Sequence, residues 1–112
     1  MKQPRYLTNA FSLNMLEDCA SASISVQRIG LAEARKLSAT TESIIGHADT
    51  ARVVSRELGR EVPARRATVT LSAGTSCLIA QYRGPRLPEG ATELPEGSEL
   101  AWLMLTVDEL TS

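Results

Sequence analysis

The chain has 112 residues, 43% of them hydrophobic and 22% charged, with a formal net charge of −1. That length suits one domain spanning residues 1–112, with a real but small core. No apolar run approaches a membrane span, and the charge balance lacks the basic excess of a protein that coats DNA.

The small net charge hides an asymmetry. Residues 1–86 hold all 12 basic groups against 7 acidic ones, whereas residues 87–112 hold 6 acidic groups and no basic one. Ten of the basic residues are Arg, which suits bidentate phosphate contacts but serves surface ion pairs equally well. Behind Met1-Lys2-Gln3-Pro4-Arg5 there is no apolar stretch, so a cytoplasmic location without membrane contact is expected. Cys19 and Cys77 form neither a disulfide framework nor a zinc pattern. Cys77 falls in an apolar run and reads as a core residue.

Tyr6-Leu7-Thr8 reads as a short first strand, followed by a mixed polar and apolar segment to Leu16. Ser23–Ile29 alternates, with Ile24 and Val26 on one face, and predicts a half-buried strand. Leu31–Leu37 is rich in helix formers. Thr40–Ile45 is a connection with some strand character. The clearest helix runs from Ala48 to Leu58, with Val54 and Leu58 on one face and Gly59 as its stop. Ala67–Leu71 alternates again and predicts a strand, and Ala73-Gly74-Thr75 turns the chain into another at Ser76–Tyr82. Arg83–Gly97, rich in Pro, Gly and Glu, reads as loop. Ala101–Val107 is a final strand. The expected fold is α/β (α+β), a mixed sheet of about five strands with both helices packed on one face and the other face free for a partner.

Three segments carry the candidate chemistry. His47, the only histidine, stands at the mouth of the clearest helix, where unpaired N–H groups and the helix dipole favour an anion such as phosphate. An imidazole there can protonate a leaving alkoxide; the alternative is a histidine that only caps or packs. Arg86 and Glu89 lie in Arg86-Leu87-Pro88-Glu89-Gly90, whose Pro and Gly bend the backbone. Arg can clamp a phosphate and stabilise transition-state charge. Glu can orient the Arg, accept a ribose hydroxyl or act as a base; the alternative is a loop ion pair. Asn9, Ser12 and Asn14 can read a nucleobase edge or hold a ribose, or serve as turn residues that bond their own backbone. Thr8 and Thr50 share that ambiguity. Arg65 and Arg66 can add charge to the same site. Arg52, Arg56 and Arg60 recur every four residues as a basic stripe, which suits either a solvated face with local ion pairs or a nucleic-acid contact.

Taken in order, Tyr6–Leu16 (YLTNAFSLNML), Ser43–Thr50 (SIIGHADT), Arg66 and Gln81–Gly97 (QYRGPRLPEGATELPEG) resemble a small viral and mobile-element family associated with type III anti-CRISPR ring nucleases. The resemblance runs from about Tyr6 to Val107. It implies a compact homodimer that binds cyclic tetra-adenylate across its subunit interface, with no metal and no cofactor. In that family a ribose 2′-hydroxyl attacks the adjacent phosphate, leaving a 2′,3′-cyclic phosphate and a free 5′-hydroxyl. The resemblance assigns proton donation to His47, makes Arg86 and Glu89 its catalytic partners, and gives ligand binding to Asn9, Ser12, Asn14 and Arg66; Thr50, in the segment that holds His47, is a further candidate for ligand binding. Two copies of Arg66 and Arg86 would offset the four negative charges of the ring, with the acidic C-terminal part facing elsewhere. An aromatic content of 4% argues against extensive base stacking.

Two other readings stand beside this one. A sponge would hold the ring nucleotide without cutting it, since binding needs the same Arg and Asn groups. A nucleic-acid-binding regulator of a virus or mobile element would use the arginine stripe, although stable DNA binding is not expected from this charge balance.

Overall fold

The computed structural model describes residues 3–112. In chain order the elements are β1 (Tyr6–Thr8), β2 (Ser21–Ile29), α1 (Leu31–Leu37), β3 (Glu42–Ser43), α2 (Ala48–Leu58), β4 (Ser76–Arg83) and β5 (Glu99–Thr111). They form one mixed sheet of order β2-β5-β4-β1-β3. The short strand β1 lies between β3 and β4 and is parallel to both, while β5 is antiparallel to β2 and β4.

Alternation along the strands sorts their side chains between two faces. Leu7, Leu78, Ala80, Trp102 and Met104 point to one face and pack with Ala34 and Leu37 of α1 and with Ala51, Val54 and Leu58 of α2. Both helices therefore cover the same side, as expected. Val54 and Leu58 are 0% and 4% exposed, and burying side chains of this size contributes about 1.5–3 kcal/mol each. The helices are tied end to end as well: Arg35 donates from Nε and Nη2 to the Glu57 carbonyl, at 3.2 and 3.1 Å, where α2 leaves its last carbonyls free. Gly59, at φ 71°, ends α2.

The opposite face is not wholly free. Tyr6, Cys77, Ile79, Leu105 and Val107 form a second core there with Leu71, and Phe11, Met15, Leu16 and Val69 pack against it. The loop after β1 and the segment before β4 thus cover the centre of that face. Over β2 no described residue does. The predicted half-buried strand is exposed along its length, only Ile29 being partly covered. The alternation of Ile24 and Val26 is real, but β2 is the sheet's edge, and these side chains remain 39% and 56% exposed.

Ala67–Leu71 is not a strand. Its alternation reports one-sided burial of an extended chain, with Leu71 buried and Thr68 and Thr70 exposed. Forming a ladder needs a neighbour, and this segment finds only the loop at residues 15–17. Leu71 N–H donates to the Met15 carbonyl at 2.6 Å and Glu17 N–H to the Leu71 carbonyl at 3.0 Å. The fifth strand is instead the two-residue β3, within the segment read as a connection.

Candidate functional site

The three parallel strands bring the candidate segments to one end of the sheet. Asn9 follows β1 directly, His47 lies four residues beyond β3, and Arg86 lies three beyond β4. Loops at the carboxyl ends of parallel strands are where open α/β sheets place ligands.

His47 is the N-cap of α2, with φ −109° and ψ 124°, and its side chain makes no capping bond. The first intrahelical bond runs from Ala51 N–H to the His47 carbonyl at 3.0 Å, so the N–H groups of residues 48–50 are the unpaired ones of a helix start. The start of α2 borders a cleft of about 770 Å³ lined by His47, Thr50, Arg86 and Glu89 together with Asp49. That volume falls within the ~300–1,000 Å³ of small-molecule sites. His47, Arg86 and Glu89 are all exposed. Arg86 and Glu89 make no ion pair with each other or with any other group among the described residues, so the loop-ion-pair alternative is not what the structure shows.

Not every candidate reaches this cleft. Asn9 and Asn14 line a second cavity of about 320 Å³ with Thr8, Ile44 and Thr68. Ser12 lines neither: its Oγ accepts the Asn14 N–H at 3.2 Å and caps a short 3-10 turn, which is the turn role weighed from sequence. Thr8 likewise bonds its own turn, donating to the Ala10 carbonyl at 2.9 Å. Arg66 begins no strand. Its side chain lies over Gly46, the residue before His47: a Cβ on Gly46 would be 3.5 Å from Arg66 Cβ and Nε. Arg65 N–H donates to the Ile45 carbonyl at 2.7 Å and holds this approach, while the Arg65 side chain pairs with Glu42. Ile44 and residues 67–69 line the second cavity and His47 the first, while Arg66, against Gly46, lines neither.

The arginine stripe is mostly neutralised. Arg52 pairs with Asp49, and Arg56 pairs with Glu93 at 3.4 Å. Arg52, Arg56 and Arg60 line a groove along α2. The acidic C-terminal part does not face away as a block, because Glu89 lines the cleft and Glu93 reaches α2. Sequence reasoning missed Asp49, whose carboxylate accepts the Gly90 N–H at 3.1 Å. An acid two residues after the only histidine was the available signal. Among the described residues no cluster of three or more His, Cys, Asp and Glu side chains could hold a metal ion, and no helix is long and apolar enough to cross a membrane.

Fold and cleft together define a small α+β domain with a cleft at a helix start beyond its parallel strands. A family model described as STIV B116-like matches residues 5–103, and the chain belongs to that family. Among solved structures it is similar to B116 of Sulfolobus turreted icosahedral virus, at 24% identity and a TM-score of 0.75, over 92% of this chain and 98% of that one. No curated protein matches the sequence.

Proposed function

We propose that this protein is a metal-independent ring nuclease, which opens cyclic tetra-adenylate to linear di-adenylate ending in a 2′,3′-cyclic phosphate. It would thereby switch off type III CRISPR signalling, as an anti-CRISPR protein of a virus or mobile element or as a self-regulatory one. The observation that carries this reading is the convergence of His47, Arg86 and Glu89 on one cleft at a helix N-terminus. Those groups match the needs of phosphodiester transesterification. A ribose 2′-hydroxyl gives its proton to the Glu89 carboxylate and attacks phosphorus. The bond from phosphorus to the 5′-oxygen breaks, and imidazolium at His47 protonates that leaving oxygen. Arg86 and the free N–H groups of α2 stabilise the charge that builds on phosphate.

The amide pocket of Asn9 and Asn14 would take a nucleobase, and Arg66 would bridge from it to the cleft. Two copies related by a two-fold would place two His47 side chains around one ring, which itself contains a two-fold. The uncovered side chains of Ile24 and Val26 offer such a second copy an apolar surface.

The sponge remains the second reading, supported by a specific observation. No hydrogen bond orients the His47 imidazole among the described residues, whereas an acid–base histidine is ordinarily held by a partner. Single-turnover cleavage of labelled cyclic tetra-adenylate, run beside a binding titration, separates the two. The nuclease predicts product, with His47→Ala losing cleavage but keeping affinity. The sponge predicts stoichiometric capture of an intact ring. The regulator reading is weakened by the ion pairs of Arg52 and Arg56.

A further inference from the structure

We propose that Asp49 is the positioning residue of the cleft, fastening the turn that carries Arg86 and Glu89 to the first turn of the helix that carries His47. The consequence for turnover rests on the ring-nuclease reading; the consequence for the loop does not.

Residues 84–98 connect β4 to β5. Most of this loop is exposed, with Leu87 and Leu94 only partly buried, so apolar packing does little to fix it. Its own bonds are local: Ala91 N–H to the Pro88 carbonyl and Ser98 N–H to the Pro95 carbonyl, both 3.1 Å. The first closes a tight turn with Glu89 and Gly90 at its centre. Gly90 has φ 79°, a conformation that suits glycine, and its N–H points out of the turn.

That N–H donates to Asp49 Oδ2 at 3.1 Å. The other carboxylate oxygen of Asp49 accepts from Arg52 Nη2. The side chain is 18% exposed, and a hydrogen bond to a carboxylate is charge-assisted. The second tie between loop and helix, Arg56 to Glu93, joins side chains 62% and 66% exposed and is of the weak solvated kind. On the strand side the Tyr82 hydroxyl donates to the Pro85 carbonyl at 2.5 Å; from the helix side, the Asp49 bond is the tie that grips the loop backbone, one residue from Glu89.

The arrangement also accounts for an acid in a cleft suited to phosphate. Both Asp49 oxygens are engaged and its charge is offset by Arg52. Its position in the first helical turn is favoured by the dipole. A group so occupied acts on the loop rather than on a ligand.

The test pairs amide hydrogen exchange at Gly90 with turnover of cyclic tetra-adenylate, in the unaltered protein, Asp49→Ala and Asp49→Asn. In Asp49→Ala, Gly90 exchange should rise about three- to tenfold, the worth of one net hydrogen bond, while protection in α2 and β4 is kept. Turnover (kcat) should fall by roughly ten- to a hundredfold, as displaced catalytic groups do, with a smaller change in affinity. Asp49→Asn keeps an acceptor oxygen and should recover most of both. Should Asp49→Ala fail to fold, Asp49→Ser, too short to reach Gly90, carries the same expectation. Unchanged Gly90 exchange in Asp49→Ala, or an Asn variant as exposed there as the Ala variant, overturns the proposal. An unaltered protein that leaves the ring intact, with Gly90 exchange responding as described, sinks the nuclease reading and leaves Asp49's hold on the loop standing.

Discussion

Gly84 lies against Ser98 so closely that a Cβ on the glycine would stand 2.6 Å from the serine Cβ and 2.8 Å from its Cα, at φ 142°. These two residues close the neck of the loop that bears Arg86 and Glu89, immediately beyond the paired Arg83 and Glu99. The obstructing atoms include backbone, so the neck must open to admit a side chain. Gly84→Ala should therefore destabilise the protein by about 1–3 kcal/mol and weaken the cleft more than a surface change would. Denaturant melts of the variant, with ligand binding measured beside them, check both effects.

Arg86 and Glu89 are exposed and, among the described residues, unpaired, so neither should matter to folding. Arg86→Ala and Glu89→Gln should leave stability within about 0.5 kcal/mol. Arg86→Ala should cost cyclic tetra-adenylate both affinity and turnover, on the order of 10²-fold in kcat. Glu89→Gln keeps the shape of the side chain and should lose turnover more than affinity. Thermal melts and single-turnover rates on the two variants distinguish these outcomes from an ordinary surface role.

Burial pushes the Cys77 thiol up from 9.0 to about 11. The unfolded chain would release this proton first, so the stabilisation from holding the thiol neutral is complete below about pH 9 and is lost as pH rises through about 11. At about pH 8 a thiol reagent should label Cys19, which is partly exposed, and reach Cys77 only on unfolding. Rapid labelling of both thiols in the native protein would contradict this burial.

Much of the fold was legible because local signals agreed with tertiary ones. Leu31–Leu37 and Ala48–Leu58 form the helices their composition and stops predicted, and Tyr6–Thr8 forms its strand. Period-two alternation misled at Ala67–Leu71, where it recorded burial of one side of an extended chain and said nothing of a neighbouring strand. At Ser23–Ile29 it found the strand but not its place at the edge, which depends on long-range pairing order. In the candidate site, the structure brings His47, Arg86 and Glu89 to one cleft, because three parallel strands end together. The separation of Asn9 and Asn14 into another cavity and the capping role of Ser12 follow from the path of one loop. Asp49 escaped notice because its partner is a backbone N–H 41 residues away.

The uncovered apolar side of β2 supports a prediction about assembly. Val26→Lys places a charge at a side chain 56% exposed, where folding of one subunit should not suffer. If a second copy covers this face, sedimentation should show the unaltered protein as a dimer and the variant shifted to monomer. A variant that stays dimeric would place the two-fold elsewhere.

The central claim is tested most directly by incubating the purified protein with cyclic tetra-adenylate in excess EDTA and resolving the products by chromatography. The account predicts linear di-adenylate ending in a 2′,3′-cyclic phosphate, with the rate reduced about 10²–10⁴-fold in His47→Ala. An intact ring after prolonged incubation, or equal turnover by His47→Ala, would contradict it.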